Sequence, residues 1–195
     1  MTDNEQNRDL ANLLNSTTKT VFTTKDFNKF WKYDNYASLI QRLGYLTKTE
    51  KLEKIKKGLY SIAGREVNEF ELANKLRTPS YVSFETVLYK EGIIFQWNEK
   101  INLAGKESIE LEVMDWKVVF RQVKDAILLN KKGIRKEHNY YIASPERAVL
   151  DMLYINPKFT FDNLRPLDFS EVERLVDIYG RQSMEDVMEE LKNYA

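Results

Sequence analysis

Side chains that can pair with phosphates or donate to base edges are concentrated in one stretch of this 195-residue chain. Residues 19–57 carry ten Lys and Arg against four acidic residues, a net charge of +6 in a chain whose total charge is zero. Residues 166–195 carry eight acidic residues against three basic ones, a net charge of −5. A molecule with one basic end can approach a polyanion with that end alone, so the asymmetry favours nucleic-acid binding near the N-terminus.

Three helices and a hairpin are expected to position these side chains. Leucines at helical spacing predict a first helix over residues 4–15. A second helix is predicted from Thr23 to about Trp31, because a Thr followed three residues later by an acid, here Asp26, satisfies the free amides of a helix start. A third helix is predicted over residues 36–46.

The third predicted helix combines an apolar stripe with a polar face. The stripe consists of Tyr36, Leu39, Ile40, Leu43 and Leu46. The opposite face consists of Ala37, Ser38, Gln41 and Tyr45, with Arg42 beside it. Small and polar side chains allow a helix to enter the major groove, which is roughly 12 Å wide, and we expect base contacts from Ser38, Gln41 and Arg42.

Alternating residues on both sides of Lys57-Gly58 predict a β-hairpin over residues 52–63. Its lysines are placed for phosphate contacts, which supply affinity rather than sequence selection. Three helices followed by a basic hairpin is the order of a winged helix-turn-helix, which we expect over residues 1–65. The predicted DNA-binding side chains are Ser38, Gln41, Arg42, Lys48, Lys54, Lys56 and Lys57.

Residues 66–195 are predicted to form a second, mixed α/β domain, so that the chain as a whole is α+β. Short β-rich pieces predict a small mixed sheet; they cover residues 101–103, 109–113, 117–121 and 140–143. Helices are predicted over residues 70–76, 83–91, 145–155, 170–179 and 183–193. Ser83 and Ser144 are the expected caps of two of them, and residues 170–173 resemble a capping box.

Three segments together resemble the AbiEi-type antitoxins of abortive-infection (type IV) toxin–antitoxin systems. They are residues 56–62 (KKGLYSI), residues 79–88 with 91–94 (PSYVSFETVL and EGII), and residues 143–154 (ASPERAVLDMLY). The resemblance covers about residues 20–160. It implies a bacterial antitoxin whose winged helix represses its own operon by binding repeats in promoter DNA. It also implies that the second domain counters a nucleotidyltransferase-like toxin, which is the enzyme of the pair.

Few residues suggest catalysis. The chain has no Cys, which excludes disulfides, thiolate metal sites and Cys nucleophiles. Its single histidine, His138, is expected to be an ordinary surface or strand-end residue. There is no HExxH motif, P-loop or GxGxxG motif.

Four carboxylates that lie close in sequence could in principle bind Mg²⁺: Asp162, Asp168, Glu171 and Glu173. Glu173 is expected to complete the capping box, and the other three carboxylates are expected on a face exposed to solvent. We therefore expect no enzyme, no cofactor and no metal.

Two alternatives to an antitoxin remain at this point. The chain could be a protein-interaction module, or a transcriptional regulator with no toxin partner. A phosphodiester-cleaving enzyme would depend on Asp162 or Asp168. No apolar run approaches the roughly 18 residues of a membrane span and the N-terminus lacks a signal-peptide pattern, so we expect a cytoplasmic protein.

Overall fold

The computed structural model describes residues 10–13 and 15–180. The chain divides into two compact units, Met1–Lys75 and Leu76–Ala195. Both helices and sheets are present, so the protein is α+β as predicted. The elements up to the division are β1 (Val21–Thr23), α1 (Thr24–Trp31), α2 (Tyr36–Lys48), β2 (Leu52–Lys56), β3 (Leu59–Ile62) and α3 (Glu69–Leu76).

The first unit contains a three-stranded antiparallel sheet in the order β1-β3-β2. Strands β2 and β3 form the predicted hairpin, which turns at Gly58 with a φ of +78°. The register shifts between Lys54 and Lys56, so the hairpin contains a bulge. Strand β1 was not predicted, because three residues directly before a helix are too few to show alternation.

An apolar core holds these elements together. It consists of Leu10, Leu13, Phe22, Phe27, Leu39, Leu43, Leu46, Leu52, Tyr60 and Ile62, with Trp31 and Tyr33 packed against it. Leu10 and Leu13 lie in a helical segment, and the rest of the predicted helix over residues 4–15 lies mostly outside the described part of the chain. The predicted start of α1 is confirmed, since Thr23 and Asp26 form a capping box.

The predicted apolar stripe of α2 was partly wrong. Leu39, Leu43 and Leu46 are buried, but Tyr36 is 65% exposed and Ile40 is 41% exposed. Arg42, which was expected at the edge of the polar face, is buried instead. The helix is therefore rotated toward Arg42 relative to the orientation that hydrophobicity alone predicts.

Hydrogen bonds attach α3 to residues 20 and 21, at the start of β1. The buried carboxylate of Glu71 accepts from the backbone amide and the hydroxyl of Thr20, both at 2.9 Å. The ammonium of Lys75 donates to the carbonyl of Val21 at 2.9 Å and lies 3.2 Å from Glu71. These contacts explain why the division falls after Lys75, whereas the sequence placed it after residue 65.

The second unit is built on one mixed sheet of six strands in the order β6-β7-β5-β4-β9-β8. Its elements are β4 (Tyr81–Val82), α4 (Phe84–Lys90), β5 (Lys100–Gly105), β6 (Ile109–Val113), β7 (Trp116–Gln122), α5 (Asp125–Leu128), β8 (Ile134–Glu137), β9 (Tyr140–Ala143), α6 (Pro145–Ile155), α7 (Phe169–Val176) and a 3₁₀ turn (Asp177–Tyr179). The pairs β5–β7 and β4–β9 are parallel and the others antiparallel. Strands β4 and β8 were not predicted.

Helix starts in this unit differ in part from the predictions. The hydroxyl of Ser144 accepts from the amide of Arg147 at 3.2 Å, which confirms that cap. Ser83 makes no cap bond, because its hydroxyl donates to Asp151 instead. The capping box at residues 170–173 was wrong: Asp168 caps α7. The helix predicted over residues 183–193 lies outside the described residues.

A buried ion pair lies at the centre of the second unit. Arg147 and Asp151 are one turn apart on α6, their side chains are fully buried, and Nε lies 3.4 Å from Oδ1. Three hydroxyls donate to the Asp151 carboxylate: those of Tyr81 at 3.0 Å, Ser83 at 2.7 Å and Tyr179 at 2.5 Å. Burial raises the pKa of the Asp151 carboxyl, and Arg147 and the hydroxyls oppose that shift.

The Arg147 guanidinium also donates to groups in three other segments of the second unit. It donates to the carbonyl of Lys132 at 3.0 Å, to the carbonyl of Ile127 at 2.8 Å and to the hydroxyl of Tyr81 at 3.1 Å. Gly133 lies directly against it: a Cβ there would meet the Arg147 Cβ at 3.0 Å, and its φ is +67°. One side chain therefore fixes α6, β4 and the segment after α5.

We expect Arg147→Met to destabilise the second unit by about 3–5 kcal/mol, because it leaves the Asp151 carboxylate buried without its cation. Urea-dependent hydrogen exchange of the α6 amides measures this free energy locally. Arg174→Ala is the control: Arg174 pairs with Glu171 on the exposed surface of α7, and the expected loss is below about 1 kcal/mol. Equal losses in the two variants would contradict the central role of the pair.

Candidate functional site

Helix α2 leaves one long face in solvent. The face opposite its buried leucines consists of Tyr36, Ala37, Ile40, Gln41, Gly44, Tyr45 and Lys48, all exposed, and we call it the α2 surface. Asn35 caps the helix, since its side chain accepts from the amide of Ala37 at 2.8 Å. The 13 residues of α2 give it a length of about 20 Å at 1.5 Å per residue.

The residues on either side of the centre of this surface have small side chains, so little projects from the helix there. Ala37 and Gly44 carry a methyl group and a hydrogen, and a Cβ built at Gly44 would meet nothing within 4 Å. Gln41 lies between them with an exposed amide, which can donate and accept at the same time. The α2 surface therefore offers a polar amide where another molecule can come close to the helix.

The hairpin is fastened to the start of α1. The amide of Thr24, in the first turn of α1, donates to the carbonyl of Gly58 at 3.0 Å. This bond uses one of the amides that a helix start leaves free, and it brings the segment of Lys57 next to that of Lys25. Lys25, Lys54 and Lys57 are exposed, so cations from the hairpin and from α1 lie on the same unit as the α2 surface.

A polar cluster fixes the segment before α1. The Asp26 carboxylate accepts from the amide and hydroxyl of Thr23, each at 2.8 Å, and from the Lys19 ammonium, and it lies 3.9 Å from the Lys75 ammonium. Burial alone would raise the pKa of Asp26, but the hydrogen bonds from Lys19 and Thr23 and the charge of Lys75 outweigh it and lower the pKa. Lys19 and Lys75 are therefore occupied within the unit.

Arg42 does not lie on the α2 surface. It is 7% exposed, its guanidinium stacks 4.0 Å from the centre of the Trp31 ring, and it donates to the hydroxyl of Tyr33 at 3.0 Å. The rings of Trp31 and Tyr33 provide the π faces, and the Tyr33 hydroxyl provides the acceptor, that a buried guanidinium needs. This buried position does not fit the base contact predicted for Arg42.

The other predicted contact residues divide by exposure. Gln41, Lys48, Lys54 and Lys57 are exposed, while Ser38 and Lys56 are half-buried. Lys25 was missed, although it belongs to the basic stretch of residues 19–57. The position of Lys25 beside the hairpin turn depends on the Thr24–Gly58 hydrogen bond, for which the sequence carries no signal.

Three of the carboxylates considered for a metal each take part in a different contact. Asp162 accepts from the amide of Phe95 at 2.8 Å, Asp168 caps α7, and Glu171 pairs with Arg174. Over residues 10–13 and 15–180, no group of three or more His, Asp or Glu could hold a metal ion. His138 is exposed, in the turn between β8 and β9. In the same part of the chain, none of the helices has the length and apolarity to cross a membrane.

Comparison with known proteins shows a structural likeness. No model of a protein family matches the chain, and no curated protein matches it. The RV2827C protein from Mycobacterium tuberculosis has a similar crystal structure, with a TM-score of 0.51 and 12% sequence identity over 95% of this chain and 76% of that one. At that identity the likeness shows a shared α+β fold alone.

Arg42→Ala tests the assignment of this residue to the core. We expect it to destabilise the first unit by about 1–2 kcal/mol, since it removes the stacking on Trp31 and the bond to Tyr33. Hydrogen exchange of the β2–β3 amides gives the local stability. Gln41→Ala, one position earlier and exposed, should change it by less than about 0.5 kcal/mol. A loss as small as that of Gln41→Ala would show that Arg42 is not part of the core.

Proposed function

We propose that the first unit is a winged helix-turn-helix that binds double-stranded DNA. In this arrangement α1 and α2 are the helix pair, α2 enters the major groove, and the β2–β3 hairpin is the wing. The observation that carries the proposal is the exposed α2 surface. Gln41 lies at its centre, between the small residues Ala37 and Gly44. The same unit contains the hairpin with its exposed lysines.

Each group has a chemical role in this proposal. Gln41 presents an amide that can form two hydrogen bonds to the edge of an adenine. Lys25, Lys48, Lys54 and Lys57 neutralise phosphates, which fixes the position of the unit on the duplex.

Two aromatic residues of the α2 surface complete the assignment. Tyr36 and Tyr45 can make apolar contacts with thymine methyl groups and donate through their hydroxyls. Both are exposed, Tyr36 by 65% and Tyr45 by 37%, which suits contact with a groove.

For the protein as a whole we propose a DNA-binding antitoxin that represses its own toxin–antitoxin operon and counteracts a nucleotidyltransferase-like toxin. The support is the resemblance carried by residues 79–88 and 143–154, because those segments supply Tyr81, Ser83, Arg147 and Asp151 of the buried network. The motif residues are thus the ones on which the second unit depends for its fold. The assignment of toxin neutralisation to that unit comes from the resemblance alone.

The DNA proposal is tested by gel-shift titration of the full chain against the region upstream of its own gene. We expect a retarded band at low salt. Lys54→Ala and Lys57→Ala should weaken binding to all duplexes alike and each reduce the slope of log affinity against log salt by about 1. Gln41→Ala should instead reduce the preference for the specific site, at a cost of about 1–3 kcal/mol.

Lys158→Ala is the matched control, because Lys158 is an exposed lysine of the second unit. It should leave both affinity and salt slope unchanged. No retarded band at low salt, or equal effects of Lys57→Ala and Lys158→Ala, would rule out this interface. Co-purification of another protein without any affinity for DNA would favour an interaction module.

Toxin neutralisation is tested separately by co-expressing the chain with the adjacent toxin gene, each from an inducible heterologous promoter. We expect the full chain to restore growth, and the Lys54→Ala/Lys57→Ala double variant to restore it equally well, since promoter binding plays no part in this assay. Growth is scored by colony counts after induction. A chain that binds its promoter and restores no growth would be a regulator without this toxin partner.

A further inference from the structure

The second unit contains a cavity that the proposed function does not use. Its volume is about 550 Å³, within the range of sites that hold small organic molecules. The lining residues are Glu85, Ile94, Gln96, Trp97, Asn98, Phe159, Thr160 and Asp162. They come from the start of α4, from the segment between α4 and β5, and from the segment after α6, so three separate parts of the unit build it.

The charged lining residues are both acidic. Glu85 forms an ion pair with Arg121 at 2.5 Å through Oε1, while its Oε2 atom is buried and has no hydrogen-bond partner among the described residues. Asp162 is exposed, accepts from the amide of Phe95 through Oδ2, and has no ion pair within residues 15–180. Arg121 offsets one of the two charges, which leaves the cavity with a net negative charge.

Aromatic rings flank these carboxylates. Trp97 is 52% exposed although it is large and apolar, and its ring lies 4.8 Å from that of Tyr89. Phe159 packs at 5.1 Å against Phe161. Ring faces attract cations, and indole does so most strongly. No Lys or Arg lines the cavity, so its charged lining residues disfavour an anionic ligand.

We infer that this cavity binds a small organic cation with a guanidinium or ammonium head on a short apolar stem. The head pairs with the Asp162 carboxylate and lies against the ring of Trp97. The stem contacts Ile94 and Phe159. The side-chain amide of Gln96 offers a further acceptor to a head that carries several N–H donors.

The test is isothermal titration of the full chain with n-butylguanidinium, and with n-butylurea as a neutral molecule of the same shape. We expect saturable binding of the cation, with n-butylurea bound at least about tenfold more weakly. Asp162→Asn and Trp97→Leu should each weaken binding of the cation by roughly tenfold. Asparagine still accepts from the Phe95 amide, so the first variant removes charge while keeping the fold.

Two controls match these variants. Glu107→Gln removes one negative charge from an exposed ion pair with Arg77 outside the cavity, and Phe95→Leu removes an exposed ring that does not line it. Both should leave the affinity within about twofold of the parent. Absence of saturable binding at millimolar concentration, equal binding of n-butylurea, or equal effects of Asp162→Asn and Glu107→Gln would each overturn the inference.

Discussion

The buried pair of Arg147 and Asp151 is the interaction on which the second unit depends. Two opposite charges with no solvent exposure need hydrogen bonds from neighbouring groups to offset the loss of water. Every polar side-chain atom of the pair has one except Arg147 Nε, which keeps only its 3.4 Å contact with Asp151 Oδ1. Here that requirement recruits three hydroxyls and two backbone carbonyls from separate segments. The strand β4, the helix α6 and the 3₁₀ turn that carries Tyr179 are consequently fixed to one another by polar geometry as well as by apolar packing.

The first unit uses a buried arginine in a different way. Arg42 has aromatic rings as neighbours, and the distances to Trp31 and Tyr33 describe stacking with one phenolic acceptor. Its side chain completes the packing of α2 on α1, and so it determines which face of α2 points outward. The orientation of the α2 surface, and with it the proposed contact by Gln41, therefore depends in part on an arginine that is buried within the unit.

The sequence predicted most elements because their signals are local. The capping box at Thr23, the cap at Ser144 and the alternation around Gly58 involve residues within a few positions of each other. Two of the errors concern distant partners: Ser83 bonds to Asp151 instead of capping its own helix, and Arg42 packs against the rings of Trp31 and Tyr33. The misplaced cap of α7 is a local error, since Asp168 lies two residues before the predicted cap. Strand β4 is two residues long and exists because its neighbours β5 and β9 pair with it. Of the candidate site, sequence reasoning found Gln41 and the exposed Lys48, Lys54 and Lys57, but it missed Lys25 and the rotation of α2.

The distribution of charge limits how such a protein can bind DNA. Six lysines of the first unit are exposed, Lys25, Lys29, Lys32, Lys48, Lys54 and Lys57, whereas Lys19 and Lys75 pair with Asp26 and Arg42 is buried. In the proposed interface, the four lysines assigned to phosphates would supply a modest, salt-sensitive affinity per unit, since each phosphate contact adds only a small electrostatic gain. Under the proposed function, specific repression requires either strong base contacts or two units bound to neighbouring sites. Gln41 is a single amide on a surface that is otherwise small or aromatic, so the second route fits better, and it agrees with the repeated promoter sites that the antitoxin resemblance implies.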